Sequence, residues 1–232
     1  MIDFLLLAII AVVTWCVASE GAWGAALTFL AVLLSGLLAM NFFEPVAGVL
    51  DGVLGVFRSD AVALLGLFAA SVLLLRLATD YLMPTYVEVH GLVYNVSRWG
   101  LGLATGYVTM AVILTALHTS SLPREFAGFT PERKNLFNVA APDRQWLAFT
   151  QYVSEKSLSK PYGPVFDAPA FERIPGDADT MQAWSSFPIR YAHRRQQYSS
   201  GVPTTPGGAA PPSGGPAPPP TQTPTGGTTP AF

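Results

Sequence analysis

The sequence predicts an all-α integral membrane protein of about four transmembrane helices, with interfacial amphipathic segments, a small soluble C-terminal region and a disordered tail. Three observations carry that reading. Four apolar stretches, residues 4–19, 23–43, 61–83 and 99–118, approach or reach the ~20 residues that cross a ~30 Å hydrocarbon core at ~1.5 Å per residue. Of the 13 Lys and Arg residues only Arg58, Arg76 and Arg98 precede residue 120, so the overall 50% hydrophobic and 12% charged composition conceals a sharp division. Residues 199–232 carry no charge and consist almost wholly of Pro, Gly, Thr, Ser and Ala, which cannot bury enough apolar surface to offset ordering.

The chain therefore divides into a transmembrane domain at 1–120, a polar C-terminal region at 121–198 and a tail at 199–232. A net charge of −2 argues against an extended nucleic-acid surface, so no nucleic-acid partner is expected. Cys16 is the single cysteine, which excludes an intrachain disulfide and a cysteine-based metal site.

In chain order, residues 4–19 form the first span, with Asp3 and Glu20 at its two boundaries. Glu20, Gly21 and Gly24 break it, and residues 23–43 return as the second, making a helical hairpin. In residues 44–60 Val46, Val49, Leu50, Val53, Leu54 and Phe57 recur at helical spacing between Glu44, Asp51 and Arg58. That pattern predicts a helix lying in the interface plane. The third span, 61–83, carries Arg76 and Asp80 four apart on one face, where they can pair. They either reach the headgroups from the helix end or face a water-filled cavity as an ion or proton relay. Pro84 closes this helix, and residues 85–98 repeat the half-polar pattern of 44–60.

The chain is organised around residues 99–118, which hold no charge. Trp99 and His118 fall at headgroup level, and Gly102 and Gly106 lie four apart with Gly100 just upstream. These three glycines are the expected helix-packing residues, with Ala111 off their face; a glycine-lined path or hinge is the alternative. After residue 121 eight prolines punctuate a polar stretch in which only residues 142–158 have helix character, with Trp146, Leu147, Phe149, Tyr152 and Val153 on one face. Arg190, Arg194 and Arg195 cluster around His193 either as a solvated helical end or as a site for anionic lipid headgroups or an acidic partner.

Four spans put both termini on one side. With the termini in the cytoplasm, Arg58, Arg124, Arg133 and Lys134 lie inside against Arg98 outside, as the positive-inside bias requires.

Over residues 2–119 the layout resembles the CvpA family, bacterial inner-membrane proteins named for colicin V production. The likeness rests on the IDFLLLAII start, the glycine-bearing first turn (Glu20, Gly21, Gly24), Gly91 and Leu92 before the last span, and Gly102 and Gly106 within it. The chain departs from the family's pattern in its first turn, SEGAWG, which lacks basic residues, and where Ser97, Arg98 and Trp99 replace an Asp-Arg pair. The resemblance implies an inner-membrane location and a role in toxin production, export or envelope physiology.

The function expected is membership of a transport, toxin-export or envelope-related complex, with Arg76 and Asp80 as its candidate intramembrane charge pair. The alternative is a non-transporting scaffold whose C-terminal region recruits partners. The lipid bilayer, further copies of the chain or other membrane proteins are the expected partners. No catalytic, cofactor-binding or metal-binding residues are expected, because no triad order, HExxH or P-loop occurs.

Overall fold

The computed structural model describes residues 2–82, 90–120, 122, 129, 135–154, 170–173, 181–184, 187 and 191, all within the compact unit Met1–Val202. The order is α1 (Ile2–Ser19), α2 (Gly21–Leu54), α3 (Val56–Leu82), α4 (Gly91–Thr119), α5 (Pro142–Tyr152), β1 (Ala170–Arg173) and β2 (Met181–Trp184). The strands pair antiparallel with Ala170 opposite Trp184, in a region where the sequence pattern offered no strand signal. The tail at 199–232, residues 85–89 and most of 155–198 lie outside the described residues.

The first four helices are each long and apolar enough to cross a membrane. Their outward faces are apolar as well: Leu5, Val12, Leu73, Leu74, Leu77 and Leu103 are exposed. Water would penalise such a surface, whereas hydrocarbon accommodates it. Inside, Met40, Phe43, Leu64, Phe68 and Val112 form one buried cluster with Trp146 of α5. Ile2 and Leu6 meet Met110 and Leu114 in a second, which fixes α1 antiparallel to α4.

The separate interfacial helix expected at 44–60 does not form. Residues 44–54 extend α2 without a break through Pro45, making a 34-residue helix, and the chain reverses at Gly55, whose φ of 80° suits glycine. At about 50 Å, α2 outreaches a ~30 Å hydrocarbon core. Of the apolar positions in that spacing, Val46 and Leu50 pack against the inner face of the α2–α3 hairpin, beside Phe43, Ala47, Ala63, Leu64 and Phe68, while Val49, Val53 and Leu54 remain exposed. Ser59 Oγ donates to Asp51 Oδ1 across the turn, and Gly55 N–H donates 3.1 Å to the Asp51 carbonyl. Likewise, the part of 85–98 that is described from Gly91 onward belongs to α4, not to a separate interfacial segment.

The C-terminal region also departs from a freestanding soluble element. α5 ends at Tyr152, and Trp146 and Leu147 of its apolar face are seated on the bundle, while Phe149 and Tyr152 stay exposed. A Cβ built on Gly36 of α2 would lie 2.5 Å from Trp146 Cζ2, so glycine at that point is what admits the indole. Farther along α2, Phe43 packs edge-on to Phe187, whose ring also meets Tyr191.

Candidate functional site

Two polar clusters lie at opposite ends of the bundle, joined by a glycine seam. The first begins in the turn between α1 and α2, where Gly21 (φ 87°) lets the chain reverse within one residue of Glu20. A Cβ on Gly24 would stand 2.8 Å from Glu20 Cβ, so its absence allows the Glu20 side chain to fold back over the first turn of α2. A carboxylate there faces the positive end of the helix dipole. Thr28 Oγ1 donates to Glu20 Oε2 at 2.9 Å, and Arg76 Nη2 of α3 reaches the same oxygen at 2.8 Å. On its other side Arg76 Nη1 stands 3.1 Å from Asp80 Oδ1, an ion pair whose angles fall short of a hydrogen bond.

The expected Arg76–Asp80 pair is thus brought together, with a third member from a different element. Glu20 is the only acidic residue between the first two apolar stretches, and that isolation is the one signal that could have pointed to it. Side-chain exposures of 24% for Arg76, 36% for Glu20 and 56% for Asp80 place the cluster at an open bundle end and not in a sealed interior. On the adjoining start of α4, Arg98 lies over the rings of Tyr94 and Trp99, 5.6 and 5.5 Å from their centroids, and Trp99 meets Trp15 of α1.

The seam follows. A Cβ on Gly102 would lie 3.0 Å from the Thr14 carbonyl oxygen, and one on Gly106 would lie 2.9 Å from that of Ile10. Backbone therefore touches backbone, and no space for a path remains between α1 and α4 at these two levels. Gly100, by contrast, has no atom of the described residues within 4 Å of the Cβ position. Gly102 and Gly106 pack within one chain, so their face is not free for a second copy.

The second cluster occupies the far end of α4, about 30 Å from Arg98 at the helical rise. His118, at the end of α4, is buried against protein: its Nε2 lies 2.7 Å from Asp143 Oδ2, with the two side chains 1% and 0% exposed. Pro142 and Asp143 open α5, where proline suits the first turn and an acid complements the helix dipole. Nothing in the sequence marks this pair, because its members are 25 residues apart and neither stands in a recognisable motif. Among the described residues His118 Nδ1 and Asp143 Oδ1 have no hydrogen-bond partner, and Phe129 packs edge-on to the imidazole at 5.1 Å. Farther along α5, Tyr107 Oη hydrogen-bonds Gln145 Oε1, and a cavity of ≈ 290 Å³ lies between α2, α4 and α5, walled by Phe29, Leu33, Val108 and Phe149.

Chemically, the first cluster is a polar tie of the α1–α2 turn and α2 to α3, and the second is a sealed lock between α4 and α5. Among the described residues no group of three or more His, Cys, Asp or Glu stands where it could hold a metal ion. Comparisons with protein-family models, with curated proteins and with solved structures found no match to this chain.

Proposed function

We propose that this chain is a four-span inner-membrane protein, with both termini in the cytoplasm, acting as a non-transporting scaffold whose C-terminal region is held on the transmembrane bundle to present partner-binding segments. The observation that supports this most is the seating of α5: the buried His118–Asp143 pair and the Trp146–Gly36 contact tie the region after the last span to the spans themselves. A scaffold needs such a tie, because recruitment to a membrane requires that the recruiting part keep a defined position there. The closed α1–α4 seam and the peripheral place of the Arg76 cluster favour this reading over a conduction path. An envelope-related role, as the CvpA resemblance implies, suits a scaffold equally well.

A transport reading keeps one supporting observation, the three-member Glu20–Arg76–Asp80 cluster. Purified full-length protein in liposomes distinguishes the two. The scaffold reading expects proton and potassium gradients to decay no faster than in empty vesicles. A protein-dependent flux abolished by Arg76→Met would overturn it.

A further inference from the structure

The turn at residues 135–140 is built to hold apolar side chains outward. Its base is anchored: Asn135 is buried, Leu136 packs against the cluster of Ile2, Leu6 and Leu114, and an isolated bridge pairs Leu136 with Ala140, with N–H···O distances of 3.1 and 3.2 Å. Between these points Phe137 and Asn138 adopt φ values of 50° and 59°. The left-handed region is tolerated by asparagine but strained for a bulky aromatic residue, and strain of that kind persists where surrounding contacts impose it. Here the imposing contact is Asp3, whose Oδ1 accepts the Phe137 N–H at 2.8 Å and so pins the turn to the first residues of α1.

This rigid turn leaves Phe137 47% and Val139 78% exposed. The Phe137 ring stands edge-on to Phe4, which is itself 75% exposed and is followed by exposed Leu5 and Leu7 on α1. The apolar tip is therefore continuous with the outer face of a helix that has the length and composition of a span. Arg133 and Lys134 immediately precede it in the sequence, the charge that anionic headgroups attract.

We infer that Phe137 and Val139 insert into the lipid at the headgroup–acyl boundary of the leaflet where α1 begins, making the turn a second, shallow membrane anchor for the C-terminal region. The inference rests on the reading of α1 as a span. A second copy or a partner protein would cover the same side chains but has no comparable support, whereas lipid already adjoins the tip through Phe4.

The test uses the full-length protein reconstituted in phosphatidylcholine vesicles containing some phosphatidylglycerol. In one sample a Cys16→Ala, Val139→Cys chain carries a fluorophore at position 139. In the other, the native chain carries it at Cys16, which is exposed on α1. Iodide reports water and a nitroxide-bearing lipid reports the bilayer. Insertion predicts that the lipid nitroxide quenches the position 139 label strongly, as it does the Cys16 label, and that iodide quenches it little. A position 139 label quenched by iodide alone, beside a lipid-quenched Cys16 label, overturns the insertion and leaves the span intact. A label shielded from both quenchers overturns it in favour of a protein contact. Iodide quenching of both labels removes the spanning reading, and the inference falls with it.

Discussion

Replacing Gly106 or Gly102 with leucine forces a side chain into the backbone of α1 at Ile10 and Thr14, where no flexible group can yield. Overpacking of this kind costs about 1–3 kcal/mol, so the unfolding midpoint in detergent should fall by several degrees for each. Gly100→Leu meets no atom of the described residues and should leave stability nearly unchanged, which makes it the proper control. Ala111 cannot serve as one, although the sequence placed it off the glycine face, because it is 1% exposed and packs in the core. At the other end of α4, Asp143→Ala leaves His118 buried without its partner. Leaving a buried hydrogen-bonding group without its partner costs about 1–3 kcal/mol, and a His118→Leu, Asp143→Leu double variant should recover part of that loss by removing both polar groups. If the double variant is less stable than either single one, the pair is not the unit described. Glu20→Gln weakens a partly exposed contact and should cost no more than about 1 kcal/mol.

At the scale of elements, α5 depends on one notch. Gly36 lies opposite the six-membered ring of Trp146, and any side chain there excludes it. Gly36→Leu should therefore detach α5 while the four long helices persist. The check is limited proteolysis in detergent: cleavage near residues 142–152 should rise at least several-fold for Gly36→Leu and for Trp146→Ala, with the 1–120 fragment still resistant. Equal protection in the variants and the parent would show that α5 is held by other contacts. The α2–α3 turn shows the same dependence on small features, since Gly55 at positive φ and the Asp51–Ser59 contact turn an amphipathic pattern into a hairpin end.

For the whole molecule the testable quantity is orientation. The basic bias predicts that a reporter active only in the cytoplasm works when fused after Tyr198, and one active only in the periplasm works when inserted near residue 88. The reverse result at both sites would invert the assignment. Both reporters on the same side would mean that α4, the candidate span between them, does not cross. In the predicted orientation the Glu20–Arg76–Asp80 cluster faces the periplasm and the His118–Asp143 lock faces the cytoplasm.

Length and hydropathy by themselves determined the four long apolar helices, because a run of about twenty apolar residues has few stable alternatives. The Arg76–Asp80 pairing was legible for a similar reason: four-residue spacing on a helix is a local geometric fact. Gly102 and Gly106 could be picked out as a close-packing face, but their partner could not, since small residues permit approach without specifying what approaches. Only the tertiary structure decided that α1 fills that face, that Glu20 completes the Arg76 cluster, that His118 meets Asp143, and that residues 44–54 prolong α2. Each of these depends on which surfaces meet after the chain has folded back on itself, and an apolar spacing of three and four is the same whether the face it marks meets lipid or another helix.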